Sequence, residues 1–180
     1  MKKTAIAFFF ILVLLLTGAV ASRSLLKSLY PHKYADLVEK YSAQYGVDED
    51  LVYAVIHTES SFRPDAGSEV GAAGLMQIMP ETFEWLCMRM GEQTSFDELY
   101  DPDTAIRFGT YLLHLLLDEF GDTRTALAAY HAGRGRVIEW LQDASVSPDG
   151  KTLEHIPYRD TAHYVRKADR AMQMYKKIYE

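Results

Sequence analysis

The stretch DEDLVYAVIHTESSFRPD, residues 48–65, contains the start of a helix, an apolar helix face and a carboxyl group on that apolar face. The apolar residues at helical spacing are Leu51, Val52, Val55 and Ile56. Glu59 follows the last two of these by four and three residues, so it shares their helix face. The pattern therefore predicts a helix that runs to about Glu59, with a carboxyl group on its buried side.

A buried carboxyl group at that position is suited to acid chemistry. Burial, the negative end of the helix and a covering loop each raise the pKa of Glu59. A raised pKa keeps the group protonated near neutral pH, as a general acid requires. Two alternatives stay open at this level: Arg63 pairs with the carboxylate and opposes the shift, or Glu59 simply ends a helix in water.

The rest of the chain is mostly helical in pattern. Helices are predicted over residues 34–46, 48–59, 80–90, 101–120, 123–133, 136–143 and 160–179. The helix over 101–120 is apolar on nearly all sides and is expected at the centre. Residues 60–79 are glycine-rich and aperiodic, which indicates an ordered loop with a small hairpin. The fold class is therefore mainly α, in one domain without repeats.

Composition supports a globular domain and excludes several kinds of partner. The 180 residues are 48% hydrophobic and 24% charged, which suits a single core. The net charge is -6 with no basic block, which argues against nucleic acid. The single cysteine, Cys87, has no partner for an internal disulfide. Six scattered histidines show no zinc-binding spacing, so no metal or cofactor is expected.

The first 28 residues are predicted to direct export. Met1-Lys2-Lys3 precedes AIAFFFILVLLLTGAVA (residues 5–21), and no charge follows until Arg23. The segment is either a signal peptide, cleaved after Ala19-Val20-Ala21, or a retained membrane anchor. Its apolar length approaches the roughly 20 residues that cross a bilayer, which favours the anchor. Residues 29–180 would then form a domain outside the cytoplasm, secreted or attached to the outer face of the cytoplasmic membrane.

Three segments carry a resemblance to a known family. They are TESSFRPDAGSEVGAAGLMQIMPET (58–82), LAAYHAGRGRV (127–137) and IPYRDTAHYVRK (156–167). In order and spacing they resemble the catalytic domain of the soluble lytic transglycosylases, bacterial cell-wall enzymes related to goose-type lysozyme. The resemblance covers roughly residues 34–179 and implies a lysozyme-like fold.

The resemblance also implies roles for individual residues. Glu59 matches the family's only catalytic acid/base. The residues implied to hold the glycan are Ser60, Ser68, Gly74, Leu75, Met76, Gln77, Tyr130, His131, Asp160 and Tyr164. His131 and Asp160 depart from the family, which usually has asparagine and glutamate there.

Structural alternatives accompany these roles. Leu75 and Met76 also fit core anchors of the loop, and Gln77 also fits a helix cap. A lone His131 is also typical of a structural histidine, and Asp160 of an N-cap.

The implied reaction is cleavage of peptidoglycan between N-acetylmuramic acid and N-acetylglucosamine, with a 1,6-anhydro product. Glycosidases normally use two carboxyl groups, but Asp65, Glu69 and Glu81 lie in polar contexts, which fits a one-acid site. A lysozyme that uses water, and a non-catalytic, membrane-tethered glycan-binding module, are the alternatives. Peptidoglycan strands and the cytoplasmic membrane are the expected partners; any partner in cell-wall or secretion machinery is left unspecified.

Overall fold

The structure is a computed structural model that describes residues 22–179, so most of the predicted export segment lies outside the described residues. Residues 22–29 are helical. The helices that follow are α1 (Ala35–Tyr45), α2 (Glu49–Glu59), α3 (Pro80–Met90), α4 (Pro102–Phe120), α5 (Thr123–Ala132), α6 (Arg134–Leu141) and α7 (Arg159–Tyr179). A short 3₁₀ helix, Phe96–Tyr100, was not predicted. The described chain contains no β-strand, so the mainly α prediction is confirmed.

The helix boundaries follow from short polar residues and glycines at their ends. The carboxylates of Asp48, Asp101 and Asp122 accept hydrogen bonds of 2.8–3.1 Å from backbone N–H groups in the first turns of α2, α4 and α5. Helices α1, α3 and α4 end at glycines in the left-handed conformation, Gly46, Gly91 and Gly121. These signals are local in sequence, which is why the predicted boundaries lie close to the observed ones.

Helix α2 is the most deeply buried helix of the domain. Every residue from Leu51 to Ile56 is at most 2% exposed, because α7 and α1 cover it on different sides. Helix α4, expected at the centre, contacts α1, α3, α5 and the 3₁₀ helix, and within it only Asp118 and Glu119, in its last turn, are exposed. The domain therefore packs around α4 and the short helix α2 that ends at Glu59.

Helix α7 runs antiparallel to α2 and contacts both of its ends. Lys176 pairs with Asp48 at 3.0 Å beside the start of α2, and Lys167 donates to the Thr58 carbonyl at 3.0 Å beside its end. A cation near the last carbonyls of a helix is favourable because those carbonyls lack partners within the helix. The two contacts fix the position of α2 along α7.

The loop over residues 60–79 is ordered by backbone bonds and one glycine. The predicted hairpin is present only as two isolated bridges, Gly67 with Ala73 and Ala73 with Ile78. Gly74 has φ +75° and donates its N–H to the Ala66 carbonyl at 2.8 Å. A Cβ atom on Gly74 would lie 1.9 Å from the Leu99 carbonyl oxygen, so only glycine allows this close approach.

The chain before α1 is held against the last helix. Tyr179 donates to the Tyr30 carbonyl at 2.8 Å, and Tyr175 donates to the Pro31 carbonyl at 3.2 Å. The His32 ring stacks on Tyr179 with centroids 4.1 Å apart. This set of contacts, which we call the tyrosine clamp, joins residues 30–32 to the end of α7. Within residues 22–179, no helix has the length and apolarity needed to span a bilayer.

Candidate active site

The carboxyl group of Glu59 lies at the end of α2 and is partly buried. Loss of hydration raises its pKa to about 7, whereas Tyr164 and the charge of Lys167 act in the opposite direction. Burial dominates because the helix before Glu59 is covered on all sides. The group therefore holds its proton near neutral pH, while its remaining exposure leaves it within reach of a ligand.

Arg63 does not have the role that one of the sequence alternatives gave it. The Arg63 guanidinium does not pair with the acid; its Nε donates to the Ser60 carbonyl at 3.0 Å. The cation that acts on the Glu59 carboxyl is Lys167, which lies 108 residues further along the chain. Local sequence carries no signal for such a contact; it arises from the packing of α7 on α2.

Two tyrosines stand beside the Glu59 carboxyl. The Tyr130 hydroxyl, on α5, donates to the Met76 carbonyl at 2.7 Å. The Tyr164 hydroxyl, on α7, is close enough to act on Glu59, yet it forms no hydrogen bond of ordinary geometry among the described residues. Burial, and then the nearby carboxylate, raises the pKa of both phenols well above the usual value. Both hydroxyls therefore keep their protons while Glu59 titrates.

The segment Gly74–Gln77 presents backbone to the site and side chains to the core. Leu75 and Met76 are fully buried, as the structural alternative predicted for their side chains. The Gln77 amide donates to the Ala66 and Gly74 carbonyls at 3.0 and 2.9 Å, so it stabilises the loop and does not cap α3. Because Tyr130 holds the Met76 carbonyl, α5 fixes this segment relative to Glu59.

The two serines both bond to nearby backbone. Ser60 is 1% exposed, and its hydroxyl donates to the Ile56 carbonyl at 3.2 Å. The hydroxyl of Ser68 accepts from the Ala72 N–H at 2.9 Å, and the residue is exposed on the loop. Ser60 therefore completes the end of α2, and Ser68 shapes the loop that follows it.

His131 and Asp160 lie together at the rim of the site. Nδ1 of His131 is 3.1 Å from the Thr161 hydroxyl, and its ring packs on Tyr164 with centroids 4.5 Å apart. Desolvation lowers the pKa of His131, and the charge of Asp160 opposes this. Asp160 is exposed in the first turn of α7, where a carboxylate also favours the helix dipole. Histidine thus supports Tyr164 at the position where the family usually has asparagine.

A groove continues from Tyr130 between α3, α4 and the start of α6. It encloses about 240 Å³ and includes Trp85, Glu81, Thr82 and Arg134 in its lining. Sequence analysis did not single out Trp85, although a partly exposed indole with polar neighbours is a recognisable sign of a binding surface. Elsewhere in residues 22–179, no cluster of His, Cys, Asp or Glu side chains is suited to hold a metal ion.

Comparison with known proteins identifies relatives of this domain. Residues 36–152 match the family described as "Transglycosylase SLT domain". The soluble lytic murein transglycosylase of Escherichia coli (strain K12) is 35% identical over 145 residues, which are 78% of this chain and 22% of that protein. Membrane-bound lytic murein transglycosylase C of Haemophilus influenzae (strain PittEE) is 32% identical over 167 residues, covering 80% of this chain and 47% of the relative.

A solved structure shares the fold. The 70 kDa soluble lytic transglycosylase of Escherichia coli superposes with a TM-score of 0.74 at 32% identity, over 84% of this chain and 25% of that one. The predicted lysozyme-like architecture of this family is therefore confirmed. This chain spans less than half the length of these relatives.

Proposed function

The chain belongs to the transglycosylase SLT domain family, and from this membership we propose that it is a peptidoglycan lytic transglycosylase with Glu59 as its acid and base. The observation that carries the proposal is the Glu59 carboxyl itself, partly buried at a helix end with its pKa raised to about 7. Two protonated tyrosine hydroxyls beside it support the same role. A domain that only bound glycan would gain nothing from a costly desolvated acid.

The proposed reaction uses one carboxyl group twice. Protonated Glu59 gives its proton to the oxygen that bridges C1 of N-acetylmuramic acid and N-acetylglucosamine, and the bond from C1 to that oxygen breaks. The Glu59 carboxylate then takes the proton of the muramic acid 6-hydroxyl as O6 bonds to C1. The products are a 1,6-anhydro end and a free N-acetylglucosamine 4-hydroxyl, and Glu59 is protonated again. An oriented internal nucleophile removes the need for a second acid and for water.

The tyrosines are proposed to support the two protonation states of Glu59. The Tyr164 hydroxyl has no other partner in the described chain, so it is available to donate to the carboxylate that forms when the proton leaves. Tyr130 holds the Met76 carbonyl and thereby the loop beside the acid. Tyr130 is thus a positioning residue, whereas Tyr164 acts on the charge of Glu59.

The test of this function is the mass of the products released from purified peptidoglycan. We expect muropeptides with 1,6-anhydro ends, which lack one water relative to reducing ends. Reducing ends alone would assign the domain to a lysozyme that uses water. Binding without any product would assign it to a glycan-binding module.

We expect the rate to fall as pH rises through about 7. The reactive form of Glu59 is the acid; its pKa of about 7 keeps it protonated below that pH, and each further unit removes about nine-tenths of the acid. Lys167→Gln should move this fall to higher pH, since the charge of Lys167 lowers the pKa of Glu59. Initial rates of anhydro-end formation between pH 3.5 and 9 provide the measurement. A fall centred near the ordinary glutamate value of 4.5 would contradict the assignment.

The domain is further proposed to act outside the cytoplasm, held at the outer face of the cytoplasmic membrane. Support comes from the charged start and the uncharged apolar run of residues 5–21. One relative is named as a membrane-bound lytic murein transglycosylase. Peptidoglycan strands are the proposed substrate, because the relatives are named murein transglycosylases.

A further inference from the structure

A cationic pocket lies beside the end of α2, against the flank of α7. It encloses about 210 Å³. Its polar and aromatic lining consists of Tyr30, His57, His163, Arg166, Lys167 and Arg170. Of the residues that the structure describes, no Asp or Glu lines this pocket. The pocket therefore carries positive charge that no acidic side chain in its lining neutralises.

The three cations of the pocket share one side of α7, and none of them is in an ion pair among the described residues. Arg166 and Arg170 are four residues apart, a spacing at which like charges repel. Neither arginine, nor Lys167 between them, forms an ion pair with a carboxylate in the described part of the chain. Arg166 also borders a neighbouring cavity that includes Asp169, but the two side chains are not paired. An anion in the pocket would relieve this repulsion.

His57 is the residue of α2 that lines the pocket. Its Nδ1 is buried and has no hydrogen-bond partner among the described residues, while its ring stacks on Tyr30 with centroids 4.9 Å apart. Buried polar atoms are normally paired, but this nitrogen has almost no accessible surface, so His57 borders the pocket with the rest of its ring. Desolvation and the charge of Lys167 lower the pKa of His57.

The pocket adjoins the candidate acid. Lys167, which lines the pocket, donates to the carbonyl of Thr58, the residue before Glu59, at 3.0 Å. Lys167 belongs to both places, since it lines the pocket and its charge acts on the Glu59 carboxyl. Lys167 therefore connects the pocket with the candidate acid.

We propose that this pocket binds a carboxylate of the peptide attached to the muramic acid residue whose bond is cleaved. The inference rests on the proposed function and adds a recognition site to it. In peptidoglycan, the peptide hangs from the same sugar that supplies C1, and its acidic residues follow within two or three positions. Two extended residues span about 7 Å, so such a carboxylate extends well beyond the sugar that carries its peptide. The site would favour strands with intact, charged peptides.

The test compares soluble glycan strands with free peptide carboxylates and the same strands after conversion of those carboxylates to amides. The variant is the double substitution Arg166→Gln and Arg170→Gln, because both side chains are exposed and unpaired. Lys177→Gln removes one exposed charge from the same helix, away from the pocket, and is the matched control for Arg166→Gln alone. We expect the double variant to raise KM about 3- to 10-fold on charged strands and to leave kcat similar. On amidated strands, wild type and variant should have the same KM.

Several results would overturn the inference. The wild-type protein could have equal KM values for charged and amidated strands, or the double variant could have an equal effect on both. Either result would show that the pocket does not bind the peptide carboxylate. A variant that keeps its preference for charged strands but loses binding to phosphatidylglycerol vesicles would make the pocket a membrane contact instead. Product masses from amidated strands test the proposed transglycosylase reaction independently of the pocket, because those strands lack the peptide carboxylates. Binding of Glu59→Gln protein to both strand types tests the pocket even where cleavage fails.

Discussion

Glu59→Gln protein is expected to lose glycan cleavage and to keep its fold and its affinity for glycan. Glutamine fills nearly the same volume but has no acidic proton, so neither proton transfer at the glycosidic oxygen nor removal of the 6-hydroxyl proton takes place. Proton transfer by a positioned acid contributes about 10²- to 10⁴-fold, and the rate should fall by at least that factor. The measurement is the rate of anhydro-end formation at pH 6, where Glu59 is mostly protonated.

The matched control for this substitution is Glu69→Gln. Glu69 is an exposed glutamate on the loop that follows α2, so the same glutamate-to-glutamine change is made outside the site. Control protein should cleave at the wild-type rate. If Glu59→Gln protein cleaved as fast as wild type, or if both variants were equally slow, Glu59 would not be the acid. Thermal unfolding of the variant within a few degrees of wild type would show that lost activity is not lost structure.

Gly74→Ala should be the most destabilising single-methyl change in the loop. At φ +75° a side chain is strained, and the new Cβ would lie 1.9 Å from the backbone oxygen of Leu99, which belongs to the 3₁₀ helix. Strain at positive φ and overpacking each cost about 1–3 kcal/mol, so we expect a loss of about 2–5 kcal/mol in the free energy of unfolding. The Tm should fall by roughly 5–15 °C.

Gly121→Ala is the control for the strain alone. Gly121 has φ +64° and no atom within 4 Å of an added Cβ, so only the conformational cost of about 1 kcal/mol remains. Urea unfolding of both variants measures the difference. Equal losses would show that the contact with Leu99 is not tight in solution. Activity of Gly74→Ala protein at a temperature where it is folded should also fall, because Gly74 begins the segment that Tyr130 holds beside Glu59.

The sequence predicted those features that depend on neighbours along the chain. The aspartate and glycine signals around α2 and α4 are local, and they define the helix ends. The position of Glu59 on a buried face also follows from the helical period alone, because three- and four-residue spacings fix the direction of a side chain. The 3₁₀ helix Phe96–Tyr100 was missed because five residues are too few to show a period.

Contacts between distant helices could not be predicted in the same way. Lys167, not the nearby Arg63, acts on Glu59, because α7 packs along α2 and brings a residue from the far end of the chain. The bond from Tyr130 to the Met76 carbonyl joins residues 54 positions apart. Leu75 and Met76 were suggested for glycan contact, but their side chains lie in the core. The motif at these two positions therefore determines the path of the backbone. A motif names the residues of a site, whereas packing decides which atom of each one faces it.

The tyrosine clamp has a mechanical consequence for a tethered protein. Residues 30–32 are fixed to the last helix, and only the eight helical residues 22–29, about 12 Å in length, lie between them and the apolar segment. An anchor in that segment would hold the active site close to the membrane, at a nearly constant height above the lipid surface. Glycan cleavage would then be restricted to the innermost layer of the cell wall, and strands further out would not be reached. Inserting a flexible spacer after residue 29 would let the active site reach strands further from the membrane, without changing any residue of the site.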